Sequence, residues 1–260
     1  MKQTIISRFL AVALMMTTGN LAANAGWTDN LSPYDLNAPL GWATVDGNVT
    51  GGEGGTKVTV TNKTELMNAL KGTDKKIIYV DGEIEFSGLT NVKSVQNKTI
   101  IGMKGAAFVN SKHSASVSET GIMQLSSCKN IILRNIIFKS AGAYDIDGND
   151  NLTIIGSTYI WVDHCDFQDG VDGNFDCVNG SDNICVTWCR FRYLIAPWAG
   201  GSGGSNDHRN CDLWGNSDKR SGDEGHLRTT FANCWWDEGC SERMPRVRFG
   251  QVHIQNCLYS

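Results

Sequence analysis

A chain of 260 residues that is 41% apolar, with 29 Gly against only four Pro, has material for one sizeable core with many tight turns, which excludes a disordered chain. Its formal charge of −4 becomes −6 without Lys2 and Arg8, the two cations of the first 25 residues, and this acidity argues against nucleic acid as a partner. No segment approaches the roughly 20 apolar residues of a membrane-spanning helix, so no membrane partner is expected.

The chain opens with Lys2 and Arg8, an apolar run from Phe9 to Met16, then Ala23-Asn24-Ala25 ahead of Gly26. This is the layout of a cleavable secretory signal over residues 1–25, so the expectation is an exported protein whose single domain covers residues 26–260. Farther on, Asn62 precedes Lys63-Thr64-Glu65, with Leu66, Ala69 and Leu70 on one helical face. A capping residue, an acidic third residue and an apolar stripe predict a short amphipathic helix over residues 63–71. Lys76-Ile77-Ile78-Tyr79-Val80 and Thr99-Ile100-Ile101 are short branched runs suited to buried strands, and no helical period is sustained after them.

From residue 130 a weak repeat emerges when NIILRNIIF (130–138), YIWVDHCDF (159–167), NICVTWCRF (183–191), RTTFANCWW (228–236) and QVHIQNCLY (251–259) are aligned. Each is a nine-residue strand-like block ending in an aromatic, and the blocks recur after 29, 24, 45 and 23 residues. A period in the twenties with one insertion is the mark of stacked coils and points to a parallel β-helix. Cys165, Cys189, Cys234 and Cys257 share one column, where the first block has Ile136, and would stack roughly 4.8 Å apart as small buried hydrophobes. A disulfide framework is the other reading of nine cysteines in an exported chain, although no CxxC pair with zinc spacing exists. Asn135, Asn233 and Asn256 occupy the preceding column, where side-chain amides can bond between coils at a bend. The run 199–205, AGGSGGS, lies in the insertion; it lacks the Lys-Ser/Thr ending of a phosphate loop and reads as a flexible surface connection.

Three acidic positions draw attention: Asp150 in DIDGND, and Asp172 and Asp176 in DGNFD one coil later. Hard oxygen donors from neighbouring coils suit Ca²⁺, which accepts six to eight oxygens in irregular geometry. Asp-Gly steps that merely mark turns are the competing reading. An EF-hand is excluded, because counting from Asp145 puts Asp150 where the turn glycine belongs and Gly156 where the closing glutamate belongs. The segment RMPRVR gathers Arg243, Arg246 and Arg248. In a strand Arg246 and Arg248 share a face, Pro245 sets Arg243 apart, and planar guanidinium forks suit carboxylates. A solvated basic face is the alternative for such a cluster.

Gly41-Trp42-Ala43, TGGEGG from Thr50, NKTIIG (97–102), NIILRNIIF, WVDHC (161–165), DGNFD (172–176) and RMPRVRFGQVH (243–253) follow one another in the order and approximate spacing of a known family. Through them the chain resembles the pectate lyases of polysaccharide lyase family one over most of its length. The resemblance implies an all-β fold, a single-stranded right-handed parallel β-helix with the short amphipathic helix near its N-terminal end. It implies Ca²⁺ held by Asp150, Asp172 and Asp176, with Asp147 as a further ligand; Gly148 stands where some members carry an extra acid. Arg243 is implied as the base of a β-elimination on polygalacturonate, and Arg248 as the holder of a substrate carboxylate, with Arg246 beside it. Guanidinium groups are ordinarily protonated, so the base role comes from the resemblance alone, helped by neighbouring cations. In HRNCDLWGNSD the lysine that the family places two residues after the histidine is Asn210, and Arg209 is the local substitute for binding substrate. Asp163 and His164 of WVDH are implied to be structural.

The expected activity is therefore that of a secreted, calcium-dependent, monomeric enzyme acting on unesterified pectate to leave 4,5-unsaturated oligogalacturonides. A calcium-free pectin lyase, which would not need three carboxylates, and a non-catalytic β-helix that binds acidic polysaccharide are the alternatives. The last repeat block ends at Ser260 with no capping element after it, so a C-terminal truncation relative to the family is expected.

Overall fold

Runs of a few β-branched and aromatic residues, each closed by a residue that takes a positive φ, favour short strands joined by sharp corners. The computed structural model describes residues 38–216 and 222–260; the expected signal over residues 1–25 lies outside the described residues. Within them, strands form three parallel sheets. The first sheet stacks Thr56–Val60, Lys76–Val80, Gln96–Gly102, Lys129–Arg134, Thr158–Asp163, Asp182–Thr187, Thr229–Ala232 and Val252–Gln255. The second runs from Glu83–Glu85 through Ile137–Lys139, Asp166–Gln168 and Arg190–Arg192 to Leu258–Tyr259. The third stacks Thr90–Lys93, Met123–Ser126, Leu152–Ile155, Phe175–Val178, Asp212–Trp214 and Arg246–Val247. Successive coils add a strand to each sheet in turn, so the chain is a single-stranded parallel β-helix, as the repeat predicts.

The helix spans Lys63–Leu70, one residue shorter than expected. Asn62 accepts the Glu65 amide at 3.0 Å while Glu65 accepts the Thr61 amide at 2.9 Å, a reciprocal pair that satisfies two otherwise orphaned donors. Leu66 and Leu70 are buried in the main core at its N-terminal end.

One expectation is corrected. Each nine-residue block is two strands and a corner: Asn135, His164, Trp188, Asn233 and Asn256 all sit at φ between 50° and 58°, between a strand of the first sheet and one of the second. A left-handed residue turns the chain sharply while its amide still bonds to the next coil, as Asn135 does to the Asp163 carbonyl at 3.0 Å. Asparagine tolerates this conformation best, and Asn256 donates its side-chain amide to Asn233 at 2.6 Å. The ladder is broken in the middle, where His164 and Trp188 take the corner and stack their rings 5.9 Å apart.

Beyond the corner the cysteine column is as expected. The amides of Asp166, Arg190, Trp235 and Leu258 bond to the carbonyls of Ile136, Cys165, Cys189 and Cys234, and all nine cysteines are free thiols. The block-ending aromatics form a second ladder: Phe138 on Phe167 at 4.8 Å, Phe167 on Phe191 at 5.1 Å, Phe191 on Trp236 at 5.4 Å and Trp236 on Tyr259 at 4.9 Å, all nearly parallel. Each buried ring contributes about 2–3 kcal/mol of apolar burial and each stacked pair about 1 kcal/mol more. Outside the first sheet, Ala43 and Val49 pack on Ile132, Trp161 and Cys185, so the segment carrying Gly41-Trp42-Ala43 lies across it.

Because the ladder cysteines are buried thiols, a thiol reagent should label native protein at no more than Cys240 and Cys257, the two partly exposed cysteines, and all nine after unfolding. Mass mapping that finds Cys165 or Cys189 labelled in the native state, or disulfide-linked peptides, would contradict this packing.

Candidate active site

In the third sheet, side chains alternate inward and outward. Val92, Leu125, Ile154, Cys177 and Trp214 form an inward column, while Asn91, Gln124, Thr153, Asp176, Leu213 and Arg246 are stacked in register on the outer face. Asp176 and Arg246 are thus two rungs, roughly 10 Å, apart along one column. The loops that enter these strands add Asp150, Asp172 and Arg243.

Asp150 accepts the Thr153 hydroxyl at 2.9 Å, and Asp176 accepts the Leu213 amide at 3.1 Å. A Cβ on Gly173 would lie 2.7 Å from the Asp150 carboxylate, so glycine is what lets that carboxylate rest over the next coil. Burial and the charge of Asp172 push Asp150 up to about 7. Burial, then the charges of Asp150 and Asp172, push Asp176 well above the usual carboxylate range. Arg243 acts in the opposite sense on both, so three acids and one guanidinium sit in mutual electrostatic contact. Arg243 has φ 56° and a buried Nε with no hydrogen-bond partner among the described residues. Under it, Asp212 points into the core, donates its amide to the Arg243 carbonyl at 2.7 Å and accepts the Trp236 indole N–H at 2.6 Å; burial raises its carboxyl strongly.

Among the described residues no three His, Cys, Asp or Glu side chains already stand as a metal-holding group. Like charges keep uncompensated carboxylates apart, and Asp172 is engaged elsewhere. Its Oδ1 pairs with His208 Nε2 at 2.9 Å and its Oδ2 accepts the Gly148 amide at 3.1 Å. The other ring nitrogen of His208 meets Asp145 at 3.0 Å. Burial works to lower the His208 pKa, but the hydrogen bond and charge of Asp172, with Asp145, outweigh it and raise it. Asp145 is in turn wrapped by the glycine-rich insertion: Ser205 donates its amide at 2.6 Å and Gly203 bonds the Asp145 carbonyl at 3.1 Å. A Cβ on Gly203 would stand 2.3 Å from that carboxylate. The run expected to be a flexible connection is an anchored cradle, with glycine required by close approach.

The remaining expected residues divide. Arg246 lies on the outer column of Asp176. Arg248 follows the short strand and donates to the Gly215 and Asn216 carbonyls at 3.4 and 3.2 Å, so the shared face expected for it and Arg246 is interrupted where the strand ends. Asp147 is exposed and is not among the main charges acting on Asp150 or Asp176. Arg209 is turned away: it forms a fork with Asp207 at 2.5 and 2.6 Å and lines a separate pocket with Tyr193 and Glu238. Asn210 is buried with its amide 3.1 Å from the His208 ring, so no cation stands there. Asp163, fully buried on the first sheet, accepts Arg134 at 2.5 Å and Thr187 at 2.6 Å and pairs with His164 at 2.9 Å, a packing role. Sequence reasoning missed Asp145 and His208; the histidine in HRN and the first acid of DIDGND were their only signals.

A family model described as pectate lyase matches residues 15–260. The chain belongs to the pectate lyase family. It is 33% identical over 227 residues to a probable pectate lyase B of Aspergillus terreus, covering 84% of this chain and 60% of the relative. It is 32% identical over 238 residues to a pectate trisaccharide-lyase of Thermotoga maritima, covering 85% and 57%. The chain thus spans about 60% of the length of these curated relatives. A solved pectate lyase of Bacillus subtilis, 23% identical, shares the fold with a TM-score of 0.66 over 86% of this chain and 74% of that one.

The raised carboxyls make a pH prediction. From about pH 4 to 7 the folded state binds more protons than the unfolded chain, so stability in metal-free buffer falls as pH rises through that window. Asp150→Asn should stabilise the metal-free protein at pH 8 by up to several kcal/mol, at about 1.4 kcal/mol per pKa unit, read as a higher thermal midpoint with a flatter pH dependence. A midpoint lowered by this substitution at pH 8 would show that the carboxylates are not in mutual repulsion.

Proposed function

We propose that the chain is a secreted, calcium-dependent pectate lyase that cuts unesterified polygalacturonate by β-elimination. The observation that carries this is Arg243, its Nε buried and without a hydrogen-bond partner among the described residues, in electrostatic reach of Asp150 and Asp176 beside the outer column that leads to Arg246. The donor set suits calcium: three oxygen-only side chains, Asp150 buried and Asp176 half-buried, both destabilised by mutual repulsion. Asp150, Asp172 and Asp176 would hold the ion, with Asp172 leaving His208 to join the other two. When bound, the ion supplies positive charge that neutralises the carboxylates facing Arg243 and stabilises charge developing on the substrate uronate.

Arg246, on the open outer face, would pair with a substrate carboxylate. Arg248 would meet a second one by exchanging its bonds to the Gly215 and Asn216 carbonyls. Arg243, as a neutral guanidine, would take the C5 proton of the uronate and become the guanidinium; the C5–H electron pair would form the C4–C5 double bond as the C4–O bond breaks and the leaving oxygen takes a proton from solvent. The chemistry consumes no water and leaves an unsaturated sugar. Export, action as a monomer and a polysaccharide partner belong to the same proposal.

A non-catalytic β-helix that binds acidic polysaccharide is the second reading, favoured by Asn210 beside His208 and by Arg209 facing Asp207. One assay separates them. Incubated with polygalacturonate and calcium at alkaline pH, the protein should generate ultraviolet-absorbing unsaturated product; a chelator and Arg243→Ala should each reduce the rate at least about 10³-fold with the fold intact. Binding without product at every pH would establish the second reading.

A further inference from the structure

We propose that the face built from Trp198, His113, Lys139 and Ile195 is a second saccharide site, one that takes a uronate ring outside the carboxylate cluster. The choice of ligand class rests on the pectate reading above; the site itself rests on geometry.

Trp198 belongs to the insertion, yet its ring is fixed. Its indole N–H donates to the Ala141 carbonyl at 3.0 Å, its amide to the Ala143 carbonyl at 2.8 Å, and it forms an isolated bridge with Tyr144. The indole stacks on His113 at 3.6 Å, and His113 leans on Tyr144 at 5.1 Å. Despite this anchoring, Trp198 remains 40% exposed, beside Ile195 at 38%. An immobilised aromatic left in water forgoes burial that a mobile loop could have given it, while presenting a rigid, low-entropy contact surface.

Between these rings and the second sheet lies a cavity of about 290 Å³ lined by His113, Lys139, Ser140, Ala141, Ile195 and Trp198 among others. An apolar wall with a few hydroxyls and one ammonium is the make-up of a small-ligand pocket. A pyranose matches it in two parts, one face of C–H bonds for the indole and Ile195 and a C5 carboxylate for Lys139, while the Ser140 and Ser111 hydroxyls already donate to Asn151 and Glu85 and can only accept from it. A neutral sugar would add no charge to what Lys139 already meets from Asp169, whereas a uronate would pair with its exposed ammonium, and a purely apolar ligand would make no use of that ammonium. The placement also fits. Tyr144 adjoins Asp145, which holds His208 and through it Asp172, so the platform borders the cluster and a polymer reaching both would gain avidity through effective concentration.

The test uses the whole chain and digalacturonate as probe, with chelator present so that no calcium-bridged binding contributes. Calorimetry should show binding to the wild type, weakened at least about tenfold by Lys139→Glu, which alters an exposed side chain, and by Trp198→Leu, whose folding is checked by circular dichroism. A neutral galactose disaccharide should bind far more weakly. With calcium and polygalacturonate, Lys139→Glu should raise KM with kcat unchanged. If the wild type forms no unsaturated product but binds digalacturonate through Lys139, the platform stands and the lyase reading falls. If the wild type cleaves polymer while Lys139→Glu matches it in both binding and KM, or if the wild type does not bind digalacturonate, the platform is overturned.

Discussion

Parallel coils stay in register when their strands meet the same pairing partners coil after coil, and in the repeat blocks this is set by a corner at one equivalent residue. The left-handed residues between the first and second sheets, and Ser94, Ser127, Gly156 and Asn179 between the third and first, fix each coil's cross-section. Register then turns sequence position into columns. A phenylalanine at the end of one block must lie on the aromatic of the next, and a cysteine on a cysteine. Loops may differ in length where they leave the third sheet's entrance, but the strands they feed cannot shift. Function can therefore be built from residues far apart in the chain, such as Asp176 and Arg246, because the outer column holds them at a set spacing.

The same rigidity lets the third-sheet side carry a charge arrangement that a softer protein would relax. Asp150, buried, and Asp176, half-buried, stand close to each other and to Asp172, at a cost in stability whenever they are ionised. Arg243 offsets part of that cost and His208 draws Asp172 aside. Stacked aromatic rings and continuous coil-to-coil hydrogen bonds stabilise the fold enough to tolerate the remainder. The destabilised carboxylates would give a cation bound there a thermodynamic advantage, since neutralising them relieves repulsion already present in the folded state.

Much of the fold was legible in the sequence because the blocks from Asn130 to Tyr259 carry the first two sheets and the corner between them. The third sheet was not. Its strands are short, such as Asp212–Trp214 and Arg246–Val247, and they follow loops of unequal length, so no fixed spacing marks them. The asparagine column marked the bend in three of the blocks, whereas His164 and Trp188 take the same positive φ without any sequence mark of it. Of the site, Asp150, Asp172, Asp176 and Arg243 were legible through motifs, and the structure brings them together. Arg209 was misplaced because side-chain direction at that position is set by its fork with Asp207. Asp145 and His208 meet only when an insertion more than fifty residues away folds back, a contact that no local pattern encodes.

The central claim is that the three carboxylates, strained by their own charge, are the cation site. Asp150 is half protonated near pH 7, so a cation that enters must displace a proton. Calcium titrated into the protein by calorimetry in buffers of different ionisation enthalpy should release about one proton or more per ion at pH 6, with affinity rising as pH rises and levelling off where proton release ceases. Asp150→Asn should reduce both the release and the affinity. Calcium affinity that is independent of pH, with heats that do not change between buffers, would contradict the account.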